Sequence, residues 1–172
     1  MRAEPSLALY ALRDAPVKAN IYRGIKSVSR DLESLSQPGC YSLVIELKRK
    51  KKLRIGKLGE IEFQPGIYVY TGSAMAGLRA RLLRHLSNRT KLRWHIDYFL
   101  NDEQARIERI FLYPAAPGQE CRQNQKIGTL RGALSVRYKF GASDCKSGCR
   151  SHLIFFPPGY RPNIKGTELH RR

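Results

Sequence analysis

The chain is short of acid. Its 172 residues carry 14 Asp and Glu against 32 Lys and Arg, a formal net charge of +18. A protein this basic repels itself and concentrates polyanions at its surface, so nucleic acid is the first partner to consider and an anionic membrane the second. A second absence sets the membrane aside: no apolar run approaches the roughly 20 residues that span a bilayer, and no basic amphipathic helix has a large aromatic face. The first residues have no apolar core behind a basic start, so secretion is not expected. The four cysteines then read as reduced thiols of a cytoplasmic, nucleoid-associated protein, not as a disulfide scaffold. Internal repeats are absent too. An apolar share of 42% in this length allows one domain with a proper core.

Residues 1–38 are weakly patterned and read as an N-terminal extension. Val28, Leu32 and Leu35 are spaced for one short helix, with Ser29 as a cap and Asp31 in its first turn. The patterned domain runs from 39 to 156. Cys40 to Leu47 reads as a strand buried along most of its length, followed by the charge run Lys48 to Lys52. That run reads as a solvated hairpin tip; its alternative reading is a phosphate clamp built from Lys50, Lys51 and Lys52. Gly56 and Gly59 mark the next turn, and Glu60 to Phe63 is a further strand. Trp94 to Leu100 reads as a short helix, and Arg106 to Tyr113 as a strand with one face buried. A helix starts near Gln119 and Glu120 and is shortened by Gly128 and Gly132. Ser135 to Phe140 and His152 to Phe156 read as a closing strand pair around the loop Gly141 to Ser151. Residues 157–172, with Pro157, Pro158 and Pro162, read as a frayed basic tail.

The organising stretch is Gly66 to His85. Ile67 to Thr71 are β-branched or aromatic and form a strand that Gly72 ends; Leu78, Leu82, Leu83 and Leu86 then give a helix its apolar face. Arg81 and His85 are four residues apart and stack on an adjoining face. A tyrosine at a strand end, a glycine-bearing turn and a helix presenting Arg and His form an arrangement able to hold a phosphate.

Gly39-Cys40-Tyr41 on one strand and Tyr70-Thr71-Gly72 on a later one resemble the paired signature of the GIY-YIG endonucleases, and the helix from Arg81 to His85 is similar to the one bearing that family's catalytic arginine. Five pieces together resemble the small Uri-type branch: GIYVYTGSA, GLRARLLRHL, KLRWHIDYFL, the Glu120-Cys121 pair and SDCKSGCRSHL. The long interval between the two tripeptides, filled by an extra hairpin, is what that branch has. Cys40 replaces the usual aliphatic residue, and Ser73 stands where many relatives carry a lysine, a cation that Arg79 or Arg84 would have to supply. The literal Gly66-Ile67-Tyr68 lies on the strand of the second motif and is a decoy.

The resemblance implies a small α/β (α+β) fold: a mixed, mainly antiparallel sheet flanked by helices, with a β-hairpin inserted between the signature strands. It implies a metal-dependent endonuclease acting on DNA in repair or processing, with RNA left open. Arg81 would neutralise the phosphorane, for which a guanidinium offers an always-charged fork. Tyr41 and Tyr70 are candidates to position or deprotonate the attacking water. At a pKa of about 10 a tyrosine needs a downward shift of roughly three units to act as base near neutrality. His85 would pass a proton to the leaving group or contact the phosphate. Glu120 falls where the family's metal-binding glutamate lies and suits Mg²⁺ or Mn²⁺, with Asp97 as a reserve ligand. Lys50, Lys51, Lys52, Arg79 and Arg84 are the nucleic-acid contacts. The competing reading is a non-catalytic basic binding module that kept the fold.

Cys145, Cys149 and His152, with Cys121 as a fourth group, raise a zinc reading. The C-x3-C-x2-H spacing is short and has no second CxxC arm, so the preferred reading is a structured loop with partly buried thiols.

Overall fold

The computed structural model describes residues 32, 35–87 and 91–169. Most of the expected N-terminal helix lies outside them; within them, Leu32 is buried against the core. The strands are β1 (Gly39–Leu47), β2 (Lys51–Arg54), β3 (Glu60–Phe63), β4 (Gly66–Ala74), β5 (Ala105–Pro114), β6 (Leu134–Ser135), β7 (Leu153–Phe156) and β8 (Thr167–Glu168). The helices are α1 (Leu78–Leu86), α2 (His95–Leu100) and α3 (Gln119–Gly128).

Six strands form one sheet in the order β6-β7-β4-β1-β5-β8, and every pair in it is antiparallel. The fold is thus a small α+β domain, as the resemblance implies. The central strands β1 and β4 are buried on both faces, which is why they read as continuous apolar runs. On one face Tyr41, Leu43, Ile45 and Leu47 pack with Tyr68, Tyr70 and the α1 residues Leu78, Leu82 and Leu86. On the other, Cys40, Val44, Ile67 and Val69 pack with Ile127 of α3 and with Ile164. Each fully buried aliphatic side chain contributes about 1.5–3 kcal/mol relative to exposure.

The inserted hairpin is part of this core. Phe63 of β3 lies 4.7 Å from Phe99 and 5.9 Å from Tyr68, ring centre to ring centre. Its turn is the short 3-10 segment Gly56–Leu58, so the expected hairpin tip at Lys48 to Lys52 is instead the link from β1 into β2.

Two further expectations are corrected. Only Leu134 and Ser135 pair with β7; the expected strand to Phe140 is broken because the backbone turns at Lys139, with φ 64°, to seat Phe140 fully inside. Residues 157–169 are not frayed either; the rest of the expected tail lies outside the described residues. Ile164 and Leu169 are buried, β8 pairs with β5, and Arg109 holds Glu168 through two 2.8 Å bonds. Basic composition masks the few apolar residues that dock this segment, so the domain extends past Phe156. Among the described residues no helix is long and apolar enough to cross a membrane.

Candidate functional site

The register of the two central strands builds the site. Tyr41 stands opposite Gly72, and Leu43 opposite Tyr70. The two tyrosines are therefore diagonal neighbours on one face, with ring centres 6.4 Å apart. Gly72 is required by this crossing: a Cβ there would sit 2.5 Å from the Tyr41 hydroxyl oxygen. The leucine face of α1 docks the helix on the same face of the sheet and buries His85 beneath it. Tyr41 Oη and His85 Nε2 are 2.7 Å apart in a buried hydrogen bond. The imidazole ring is 5.4 Å from Tyr41 and 6.3 Å from Tyr70.

The first amides of α1 are taken up within the chain. Leu78 N donates to Gln37 O and Arg79 N to Leu35 O, at 3.0 and 2.8 Å, so the preceding segment caps the helix. Gly77 brings no capping side chain, and the carbonyls supply what it lacks.

Burial dominates the electrostatics. It raises the Tyr41 hydroxyl well above its ordinary value, and the neighbouring Tyr70 and the Glu120 charge add to this. Tyr70 is raised for the same main reason, with Glu120 again contributing. Arg81 acts downward on both, as expected, but is outweighed. The downward tyrosine shift that base catalysis would need is thus absent from the resting site. Burial also lowers His85 to about 3, so it is neutral near pH 7. A histidine depressed in the folded state contributes stability that is complete above its unfolded value of about 6.5 and is lost as pH falls toward 3. Between pH 7 and pH 5 the protein should lose about 2 kcal/mol more unfolding free energy than a His85→Gln variant. Parallel pH profiles from urea unfolding would refute the assignment.

Arg81 and Arg84 separate in role. The Arg81 guanidinium lies 3.9 Å over the Trp94 ring and has no carboxylate partner among the described residues. Arg84, expected to contact nucleic acid, instead donates to Asp97 Oδ2 at 2.6 Å and to Lys91 O at 3.1 Å, with its side chain only 13% exposed. Asp97 Oδ2 also accepts from Arg93 N and Trp94 N, both at 2.9 Å, and so caps α2. The reserve metal ligand is occupied. The three hairpin lysines are paired as well: Lys50 with Glu62 at 2.8 Å, Lys51 with Asp102 at 3.3 Å and Lys52 with Glu60 at 2.7 Å. Cross-strand acids on β3, invisible to a count of the lysine run, explain two of these pairs. No described carboxylate pairs with Arg79, which remains the available replacement for the missing lysine at Ser73.

Glu120 lies in the first turn of α3, whose entry is set by Gly118 at φ 69°. Its charge reaches both tyrosines, while its Oε1 sits 2.9 Å from His152 Nδ1, close enough to pair though not aligned as a hydrogen bond. Cys121 follows it and faces the loop ahead of β7. The donor atoms of Cys121, Cys145, Cys149 and His152 all lie within 4.8 Å of one another. The local spacing offers no second arm, and α3 brings Cys121 up to the other three donors, a convergence that the preferred reading of an ordinary loop does not require. The thiols share one protonation equilibrium. Burial works against ionising Cys145, but backbone N–H groups of Cys149 and Ser147 and the Cys121 thiol bring it down to about 7. Burial and the thiols of Cys121 and Cys145 push Cys149 up to about 12.

Residues 40–170 match the family described as Domain of unknown function DUF123, and the chain belongs to it. No curated protein and no solved structure matches this chain.

Proposed function

We propose that this member of the DUF123 family is a metal-dependent endonuclease of the GIY-YIG type, of the Uri branch, that hydrolyses phosphodiester bonds in DNA during repair or processing. The observation that carries the reading is the meeting of Tyr41, Tyr70, His85, Arg81 and Glu120. The strand register and one helix face join Tyr41, Tyr70 and His85, and the charges of Arg81 and Glu120 both reach the two tyrosines. A cytoplasmic, nucleoid-associated location goes with the DNA partner and the +18 charge.

The donor set suits a hard divalent ion. Glu120 is a partly exposed carboxylate, and Mg²⁺ or Mn²⁺ commonly takes one or two carboxylates while keeping several waters. A carboxylate has two oxygens, so pairing through Oε1 with His152 does not consume Glu120. Such an ion, when bound, supplies Lewis-acid polarisation of the phosphate and a more acidic water. Arg81, stacked on Trp94 and free of a described acid, presents its fork to the phosphate oxygens. Tyr41 and Tyr70 orient the water through their hydroxyls. The 2.7 Å hydrogen bond between Tyr41 Oη and neutral His85 Nε2 fixes the orientation of the Tyr41 hydroxyl.

The test is cleavage of labelled single-stranded, nicked, flapped and branched DNA with Mg²⁺ or Mn²⁺, with binding measured in the same samples. Arg81→Ala and Glu120→Ala should each lose about 10²–10³-fold in cutting rate while still binding. Salt-sensitive binding with no cutting of any substrate would establish the non-catalytic binding module instead.

A further inference from the structure

We propose that Cys121, Cys145, Cys149 and His152 form a closed, four-ligand zinc site that ties α3 to β7. It is distinct from the hard-ion site of Glu120 and does not depend on the nuclease reading.

The donor atoms lie within 4.8 Å of one another, close enough to close on one ion with small side-chain shifts. Zinc–sulfur bonds of about 2.3 Å at tetrahedral angles place two sulfurs about 3.8 Å apart, and a sulfur and a nitrogen slightly closer. Cys121 and Cys145 Sγ are 3.5 Å apart, and Cys121 Sγ is 4.0 Å from His152 Nε2. A disulfide would bring the sulfurs to about 2.05 Å, and all four cysteines of the chain are free. Three thiolates and an imidazole are soft donors that select zinc over magnesium or calcium. Four protein ligands leave no open position, which is the mark of a structural and not a catalytic ion.

Two features beyond the ligands agree. His152 turns Nε2 to the thiols and leaves Nδ1 2.9 Å from the Glu120 carboxylate, the side on which a metal-bound histidine commonly meets an outer-shell acid, although the contact is not aligned as a hydrogen bond here. Three thiolates around Zn²⁺ leave one negative charge, and Arg122, Lys146 and Arg150 stand one residue along the chain from Cys121, Cys145 and Cys149.

The site also reaches the catalytic face. His152 O accepts from Thr71 N at 3.0 Å, directly beside Tyr70. Tyr70 packs on Gly141, where a Cβ would lie 2.9 Å from its ring and 3.2 Å from His152 Cβ. Zinc would thus hold the start of α3, and with it Glu120, against the strand that carries Tyr70. Glu120 on this reading is positioned through His152.

The experiment is metal analysis of the full-length protein, purified under reducing conditions without chelator. One zinc per chain is expected, with zinc-dependent loss of thiol reactivity at three cysteines and Cys40 unaffected. Cobalt(II) in place of zinc should give the intense visible absorption of a tetrahedral thiolate complex, which needs no variant to fold. Cys145→Ser with Cys149→Ser should lose the zinc, whereas Cys40→Ser should keep it. No zinc bound on addition to the reduced wild type, or full zinc retention by the double variant, would overturn the proposal. Nucleic acid is absent from every arm, so this result and the cleavage result fail independently.

Discussion

Asp97→Ala should cost about 3 kcal/mol of unfolding free energy, the low end of the range for breaking a buried ion pair from one side. The pair is well shielded: the Asp97 side chain is 10% exposed and that of Arg84 13%. Removal of the carboxylate leaves the guanidinium charged and largely dry, and it frees Arg93 N and Trp94 N at the start of α2. Both losses act on the same element, which carries Phe99 into the core against Phe63 and Tyr68. Replacement of both partners, Asp97→Ala with Arg84→Met, should recover much of the cost, because no unpaired charge remains. Chemical denaturation of the two single variants and the double variant reads this directly. A loss below about 1 kcal/mol for Asp97→Ala would mean that water reaches the pair and that the cap on α2 adds little.

Gly72→Ala is the second large effect. The added Cβ would meet three atoms of Tyr41, the hydroxyl oxygen at 2.5 Å, Cζ at 2.7 Å and Cε1 at 3.2 Å. The ring is fully buried and has no room to give without parting from His85. Overpacking of this kind costs about 1–3 kcal/mol, and a buried hydrogen-bond partner left unsatisfied adds about 1–3 kcal/mol. A total loss of about 3 kcal/mol is expected, with any cleavage reduced along with stability. Gly128→Ala is the control, since its Cβ would find only one atom, Ile154 Cδ1, at 4.0 Å. Equal midpoints for Gly72→Ala and wild type would show that Tyr41 does not cross over this glycine in solution.

The amino-acid sequence by itself determined the order and kind of the main elements. Apolar continuity in Gly39–Leu47 and Gly66–Ala74, leucine spacing in Leu78–Leu86 and alternation in Ala105–Pro114 are local signals, and each became the strand or helix its period dictates. The tyrosines, Arg81 and His85 were legible because two short motifs and one helix register carry them. Tertiary structure alone decided which charges are available and which thiols meet. Lys50, Lys52 and Arg84 look like free cations in a row of basic residues, yet their acid partners stand on a facing strand or the next helix. Ile164 and Leu169 are too sparse to mark a strand, and β5 offers the edge that orders them. Cys121 lies 24 residues before Cys145, and only the docking of α3 beside β7 brings their sulfurs to 3.5 Å. Secondary structure follows from neighbours along the chain, whereas ion pairs, burial and metal ligation depend on groups brought close by the folded sheet.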